Sequence, residues 1–336
     1  MAFQRDVVVV GASAGGVEAL RQVVRSLSAD LPAAVLVVMH LAPGAPTALP
    51  QILGRAGPLR AVAAAHAAPL TAGVIHVAPP DHHLLLDDGA LMLSHGPTEN
   101  GHRPAINATF RSAAVAAGPR VIGVILSGAL HDGAAGLGAI VERGGLAMVQ
   151  DPSDALYPGM PESALARVTT DHVYPADVLG KVLDRLVRTP ADAGPAEPPA
   201  PTLLLEDRIA RDGVRRGAVA EELAAAASGY SCPDCQGALL EVGDRPGQFR
   251  CRIGHAWSAE ALLGARDIEL ERALWTALRS LDEKAALAQR MERDAAGRGH
   301  AGLTGRYGST ARECATAAER LRRFLLSLSQ DIEANP

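Results

Sequence analysis

Cysteine is scarce. Four residues in 336 do not make a disulfide framework at this length, which points to a reducing compartment. Positive charge is short as well: 32 Lys and Arg stand against 37 Asp and Glu, a net charge of −5. No basic footprint therefore marks a nucleic-acid partner. Long apolar runs are missing, and none approaches the ~20 residues of a membrane-spanning helix. The N-terminus lacks a signal-peptide pattern, because Arg5 and Asp6 precede only four valines before glycine ends the run. These absences lead to the expectation of a cytoplasmic protein that is not membrane-embedded and does not bind nucleic acid. What is present is an ordinary globular composition, 48% hydrophobic with 34 Gly and 23 Pro. At roughly 100–200 residues per domain, two units are expected.

The chain is organised around Asp6 to Leu20, DVVVVGASAGGVEAL. Four consecutive valines read as a short buried strand, Gly11–Gly16 as a small-residue turn, and Val17 onward as a helix with Val17, Leu20, Val23 and Val24 on one face. Such a turn sits at the carboxyl edge of a parallel sheet, where ligands bind. Three readings compete for Ser13 at its centre. A dinucleotide-binding turn needs G-x-G-x-x-G, and Ser at position 13 breaks that spacing. A nucleophile turn fits, since Gly11 to Gly15 spells G-x-S-x-G and backbone N–H groups at a helix start can hold an oxyanion. The plainest reading makes Ser13 an N-cap.

Segments alternate onward from there. Strands are expected at Ala33–Met39, Val74–Ala78, Val121–Leu126 and Leu146–Val149. Helices are expected around Thr47–Leu53, Ala105–Ala117, from the SGALHDGAAG loop to Arg143, Pro161–Arg167 and Ala176–Val187. Leu84–Leu93 carries a hairpin signal with Asp88-Gly89 at its turn. The fold class expected is α/β: a doubly wound, mostly parallel sheet with an antiparallel hairpin. A small Cys/His zinc-ribbon-like segment and an α-helical hairpin follow. The boundaries are a catalytic domain over 1–188, a Pro/Ala-rich linker over 189–202, a helix plus the Cys/His segment over 203–260, and the helical hairpin over 261–336. Leu203–Ala227 reads as a polar-faced helix. Ala259–Met291 and Ala311–Ile332 read as an antiparallel helix pair, with Gly297–Gly308 as a glycine-rich turn between them. Cys314 and the two tryptophans, Trp257 and Trp275, are expected in core positions.

In a parallel sheet, catalytic groups lie just past strand carboxyl ends. Ser13 follows the first strand, His40 the second, and Asp132 lies in the loop after VIGVIL. His40 would take the Ser13 proton, and Asp132 would fix the imidazole. Rivals share the geometry: His82 and His83 after the third strand, Asp151 and Asp154 after Leu146–Val149, and His131 beside Asp132, which itself could cap a helix. Composition does not choose among them. A serine hydrolase is favoured.

Cys232-x2-Cys235, then Cys251-x3-His255, places four metal ligands within 24 residues. That set fits a closed tetrahedral Zn(II) site with a structural role, in a segment too small to hold a core of its own. The competing reading is a pair of reduced thiols in a turn.

Six pieces of the first 188 residues occur in one order: VVVVGASAGG, the strand-end His40, HVAPPDHHLLL, RPAINATFRSAA, VILSGALHDGAAGL and DPSDALYPGMPESAL. In these the chain resembles the catalytic domain of the chemotaxis protein-glutamate methylesterases, the CheB family. The resemblance implies Ser13 as nucleophile, His40 as base and Asp132 as acid, with no cofactor for catalysis. The implied reaction is hydrolysis of glutamate γ-methyl esters on methyl-accepting chemoreceptor-like helical proteins, with glutamine deamidation beside it. Chemosensory signalling proteins are the implied partners. Two departures stand out. Ala14 replaces the family's usual Thr, and Ala129-Leu130 replaces its usual Met-Gly, so the oxyanion donors stay open. The first strand at Val7 leads to the expectation that no phosphorylatable receiver precedes the esterase. The tail resembles those of receiver-less members and is expected to position substrate or regulate access to Ser13. The alternatives kept are a serine esterase of other specificity, a non-catalytic adaptor in a two-component pathway, and, more distantly, a nucleotide-binding protein.

Overall fold

The computed structural model describes residues 2–41, 44, 47–192, 198–212, 226–242 and 247–334. In chain order the first elements are β1 (Ala2–Phe3), β2 (Val7–Ala12), α1 (Gly16–Arg25), β3 (Ala34–Met39), α2 (Leu49–Ala56), β4 (Arg60–Ala63) and β5 (Val74–Val77). There follow β6 (His83–Asp87), β7 (Ala90–Ser94), α3 (Ile106–Ala117), β8 (Val121–Ile125), α4 (Ala134–Glu142), β9 (Leu146–Gln150), α5 (Gly159–Arg167), β10 (Val173–Tyr174) and α6 (Ala176–Arg188).

Seven strands form one sheet in the order β10-β9-β8-β2-β3-β5-β4, and every neighbouring pair is parallel. The four valines of β2 explain why it is central. Val8 and Val10 join the core with α1, α2 and α6, while Val7 and Val9 face the core of α3, α4 and α5. A strand buried on both faces needs β-branched residues without polar alternation, and β2 has them. The chain leaves β2 to one side through β3 and returns on the other side as β8, which makes the β2 edge the topological switch point. The hairpin β6–β7 turns at Asp88-Gly89, where both residues have positive φ, but it forms a separate two-stranded sheet against α3 rather than an addition to the large one. Two strands of this large sheet were not legible in the sequence, β4 and β10. Both are edge strands of four and two residues, too short to carry a periodic signal.

Past α6, β11 (Ala191–Asp192) pairs antiparallel with β1, so the start of the Pro/Ala-rich stretch is tied to the sheet domain. Residues 193–197 of that stretch lie outside the described residues. The helix expected over Leu203–Ala227 is α7 (Pro201–Asp212), which packs on α3. Residues 213–225 lie outside the described residues, and Ala226–Ala227 belong to a strand instead. That strand opens a four-stranded antiparallel sheet of β12 (Ala226–Ser231), β13 (Ala238–Glu241), β14 (Gln248–Cys251) and β15 (Ala256–Ser258). Residues 1–262 make one compact unit, with the Pro/Ala-rich stretch inside it, and 263–336 make a second.

The long helices are α8 (Ala259–Gly297) and α9 (Ala301–Ala334), and in the second unit Leu278, Ala318 and Leu325 form their shared core. Gly297–Gly308 is not the expected turn, because α9 begins at Ala301. Gly302, Gly305 and Gly308 are helical despite a propensity cost of about 1 kcal/mol each. Gly308 faces the Glu292 side chain on α8, and a Cβ there would only require that flexible carboxylate to move aside. Cys314 is buried in this unit, and Trp257 is buried in the first. Trp275 is exposed, contrary to expectation, and its indole N–H donates to Glu271 one turn away.

Candidate functional site

Ser13, His40 and Asp132 come from the loops after β2, β3 and β8, three adjacent strands of one sheet, and their side chains touch. His40 Nδ1 lies 3.1 Å from Ser13 Oγ, and His40 Nε2 lies 2.8 Å from Asp132 Oδ2. The Asp132 carboxylate is almost fully buried, yet its oxygens are saturated. Oδ2 accepts the Ile106 N–H at 2.6 Å, and Oδ1 accepts the N–H groups of Asn107 (3.1 Å) and Gly133 (3.0 Å). Ile106 and Asn107 open α3, so the carboxylate occupies the positive end of a helix. Burial pushes the Asp132 carboxyl upward, but the hydrogen bond and charge of His40 and the Ile106 N–H together hold it below the usual carboxylate range. An ionised carboxylate only accepts, so His40 Nε2 carries the proton and Nδ1 presents its lone pair to the Ser13 hydroxyl. That arrangement can move a proton off Ser13 and return it to a leaving group.

The turn holding Ser13 is braced from β8. Ser13 N–H donates to the Ser127 carbonyl (3.0 Å), and Ser127 Oγ donates to the Ala14 carbonyl (2.8 Å). Glycine is required at two points. Gly15 has φ +70°, a left-handed conformation that lets α1 start directly behind the nucleophile turn. Gly128 has no room for a side chain, because a Cβ there would strike Met160 Sδ and stand 2.9 Å from Ser13 Cβ. In the same loop Leu130 is exposed with φ +72°, a strained conformation for a residue of its kind.

Each rival residue has another occupation. His83 is buried, accepts the Ala105 N–H at Nδ1, and faces the Pro97 carbonyl with Nε2. His82 faces the Pro80 carbonyl and packs against His95. His131 points away from its neighbour Asp132 and meets Ser163 Oγ at 2.6 Å. Asp151 closes a turn onto Ser153, and Asp154 holds Gln150 and the first N–H of α6.

Sequence reasoning missed His102. Its ring stacks on His40 with centroids 3.6 Å apart and planes 8° from parallel. Burial, followed by the charge of His40, lowers its pKa from 6.5 to about 4, so it is a neutral ring over His40 at neutral pH. No strand ends at His102, so the strand-end rule could not find it. Its neighbours Arg103 and Pro104 open one of the six resemblance pieces, and that adjacency was the available signal. His40, His102, Leu41, Thr98 and Gly101 line a cleft of about 350 Å³. A larger cleft of about 500 Å³, bordered by His131, Ser163 and Glu260, contains none of the three relay residues, so chemistry rather than size selects the site.

The four expected metal-ligating residues also converge. Cys232, Cys235, Cys251 and His255 place their ligand atoms within 4.8 Å of one another, with Cys232 and Cys251 fully buried.

A family model for CheB methylesterase matches residues 8–183. A protein-glutamate methylesterase/protein-glutamine glutaminase 2 of Methanosarcina mazei is 36% identical over 192 residues, 55% of this chain and 52% of that protein. Its namesake in Anaeromyxobacter dehalogenans is 39% identical over 183 residues, 54% of each chain. The chain thus spans about half the length of the curated relatives it matches. The crystal structure of the Thermotoga maritima CheB methylesterase catalytic domain superposes with a TM-score of 0.52 at 29% identity, covering 55% of this chain and all of that one. With over half of its length inside the family match, on the fold of that crystal structure, the chain belongs to the CheB methylesterase family.

Proposed function

We propose that this protein hydrolyses glutamate γ-methyl esters on methylated, chemoreceptor-like helical proteins. The observation that carries the reading is the continuous hydrogen-bonded path from Ser13 Oγ through His40 to the buried, ionised Asp132 at the switch point of a CheB-family sheet. Ser13 Oγ attacks the ester carbonyl carbon as its proton passes to His40 Nδ1. The imidazolium then protonates the methoxide, methanol leaves, and an acyl-Ser13 ester remains. Water, deprotonated by His40, cleaves that ester and restores the hydroxyl. A glutamine side chain follows the same course with ammonia as the leaving group, as the names of the relatives indicate for them. Leu130, Leu156 and Tyr157, all exposed on the loops beside Ser13, give the rim an apolar surface suited to the side of a substrate helix.

The test is methanol release by the full chain from a methylated chemoreceptor cytoplasmic fragment, set beside hydrolysis of p-nitrophenyl acetate. The expected kcat/KM for the receptor exceeds that for the generic ester by about 10² or more, since remote contacts contribute to transition-state binding. Cleavage of the generic ester with no methanol from the receptor would instead indicate an esterase of other specificity. No turnover of either would leave the adaptor reading.

A further inference from the structure

Three thiol sulfurs and one imidazole nitrogen sit in the small sheet within 4.8 Å of one another, with three of their six separations at the edge length of a metal tetrahedron. Cys235 Sγ and Cys251 Sγ are 3.7 Å apart, and His255 Nδ1 lies 3.7 Å from Cys232 Sγ and 3.5 Å from Cys251 Sγ. A tetrahedral zinc with Zn–S of about 2.3 Å and Zn–N of about 2.05 Å requires S–S edges of about 3.75 Å and S–N edges of about 3.55 Å. The sulfur separation excludes a disulfide, whose bond is about 2.05 Å. The backbone shapes both halves of the set: Cys232 N–H donates to the Gly237 carbonyl, Gln236 N–H to the Cys232 carbonyl, and Cys251 N–H to the His255 carbonyl.

The same two knuckles grip one loop of the esterase domain. Asp234, inside the first knuckle, accepts the Thr98 hydroxyl at 2.8 Å. Ala256, directly after His255, donates its N–H to the Thr98 carbonyl and accepts the Asn100 N–H at 2.8 Å. Asn100 Oδ1 then accepts the Ser258 N–H at 2.9 Å, and Gly101 lies against the Trp257 ring. At the next residue, this loop delivers His102 onto the His40 ring.

We propose that Cys232, Cys235, Cys251 and His255 bind one Zn(II) ion in a closed site, and that the metal-locked knuckles clamp residues 98–102 so that His102 is held against His40. The metal supplies folding free energy to a segment with few buried side chains of its own. It takes no part in bond breaking, because four protein ligands leave no open position. His102 is a positioning residue in this scheme, acting through the ring of His40.

The test uses the full chain. Metal analysis after dialysis should give one zinc per chain in the wild type and in Cys314→Ser, and well under half of that in Cys235→Ser. Cobalt substitution should give the visible d–d bands of a tetrahedral thiolate site. Amide hydrogen exchange is then followed at Asn100 and His102 in zinc-loaded, chelated and zinc-refilled protein. Exchange there should accelerate at least about tenfold on chelation and recover on refilling, while β2 stays protected. Should Cys235→Ser not fold, the chelation and refilling series on the wild type carries the test alone. A folded wild type without zinc overturns the metal site. Zinc release that leaves exchange at Asn100 and His102 unchanged overturns the clamp. Neither readout depends on turnover, so each stands whether or not the esterase reading holds.

Discussion

Asp132 and His102 bracket His40 in opposite ways. One is an anion kept charged in a buried place by His40 and the Ile106 N–H; the other is an imidazole kept neutral by burial. The second has a consequence for stability. Between pH 6.5 and about 4 the unfolded chain binds a proton at His102 that the folded chain does not. Stability from this group is therefore complete above the unfolded value, falls as pH drops through that window, and is constant below it. His102→Phe keeps a flat ring over His40 and removes the titration. Denaturant unfolding of both proteins across pH 4–7 should show the wild type losing stability relative to the variant on acidification; parallel profiles would contradict the assignment. Ser13, His40 and Asp132 were legible in the sequence because each follows a strand that the apolar runs identify. Composition and spacing alone did not separate the histidine and aspartate rivals, which the resemblance demoted, because the carbonyl, hydroxyl and amide groups that occupy them lie 2 to 32 residues away along the chain.

Between elements, the small antiparallel sheet joins the CheB-family domain through a buried ionic quartet. Arg111 on α3 pairs with Glu99 and lies 3.7 Å from Glu206 on α7. Arg250 on β14 reaches both carboxylates, at 3.5 and 3.3 Å. Two positive and two negative side chains, all buried, balance in charge. Removing one leaves a desolvated charge without compensation, so Arg111→Met should cost about 3–5 kcal/mol in urea unfolding of the full chain. A cost below about 1 kcal/mol would show that the quartet is not coupled as described. None of this was readable from sequence, because charged residues in α7 and β14 give a polar pattern that implies solvent. Buried β-branched strands carried their own signal. The glycines of α9 misled, because turn chemistry was inferred where long-helix pairing prevails.

At the scale of the whole molecule, Ser13, His40, Asp132 and the Cys/His cluster all lie in residues 1–262, and the helix pair from Leu263 on forms its own unit. A chain ending at Leu262 should fold, and it should hydrolyse a small generic ester within about threefold of the full-length rate, because no relay residue or cleft lining is lost. A fall beyond about tenfold would show that the helix pair supports the site. The division after Leu262 falls beside the start expected for the helical hairpin at 261, whereas the Pro/Ala-rich stretch, the stronger compositional break, has its start bound to the sheet domain through β1 and β11.

The most direct measurement is methanol release from a methylated chemoreceptor fragment by the wild type and by Ser13→Ala, with both proteins shown to be folded. The account predicts steady release by the wild type and a loss on the order of 10⁴ or more in the variant, because removing the nucleophile leaves only binding and oxyanion contacts. Equal release by the two proteins would contradict it.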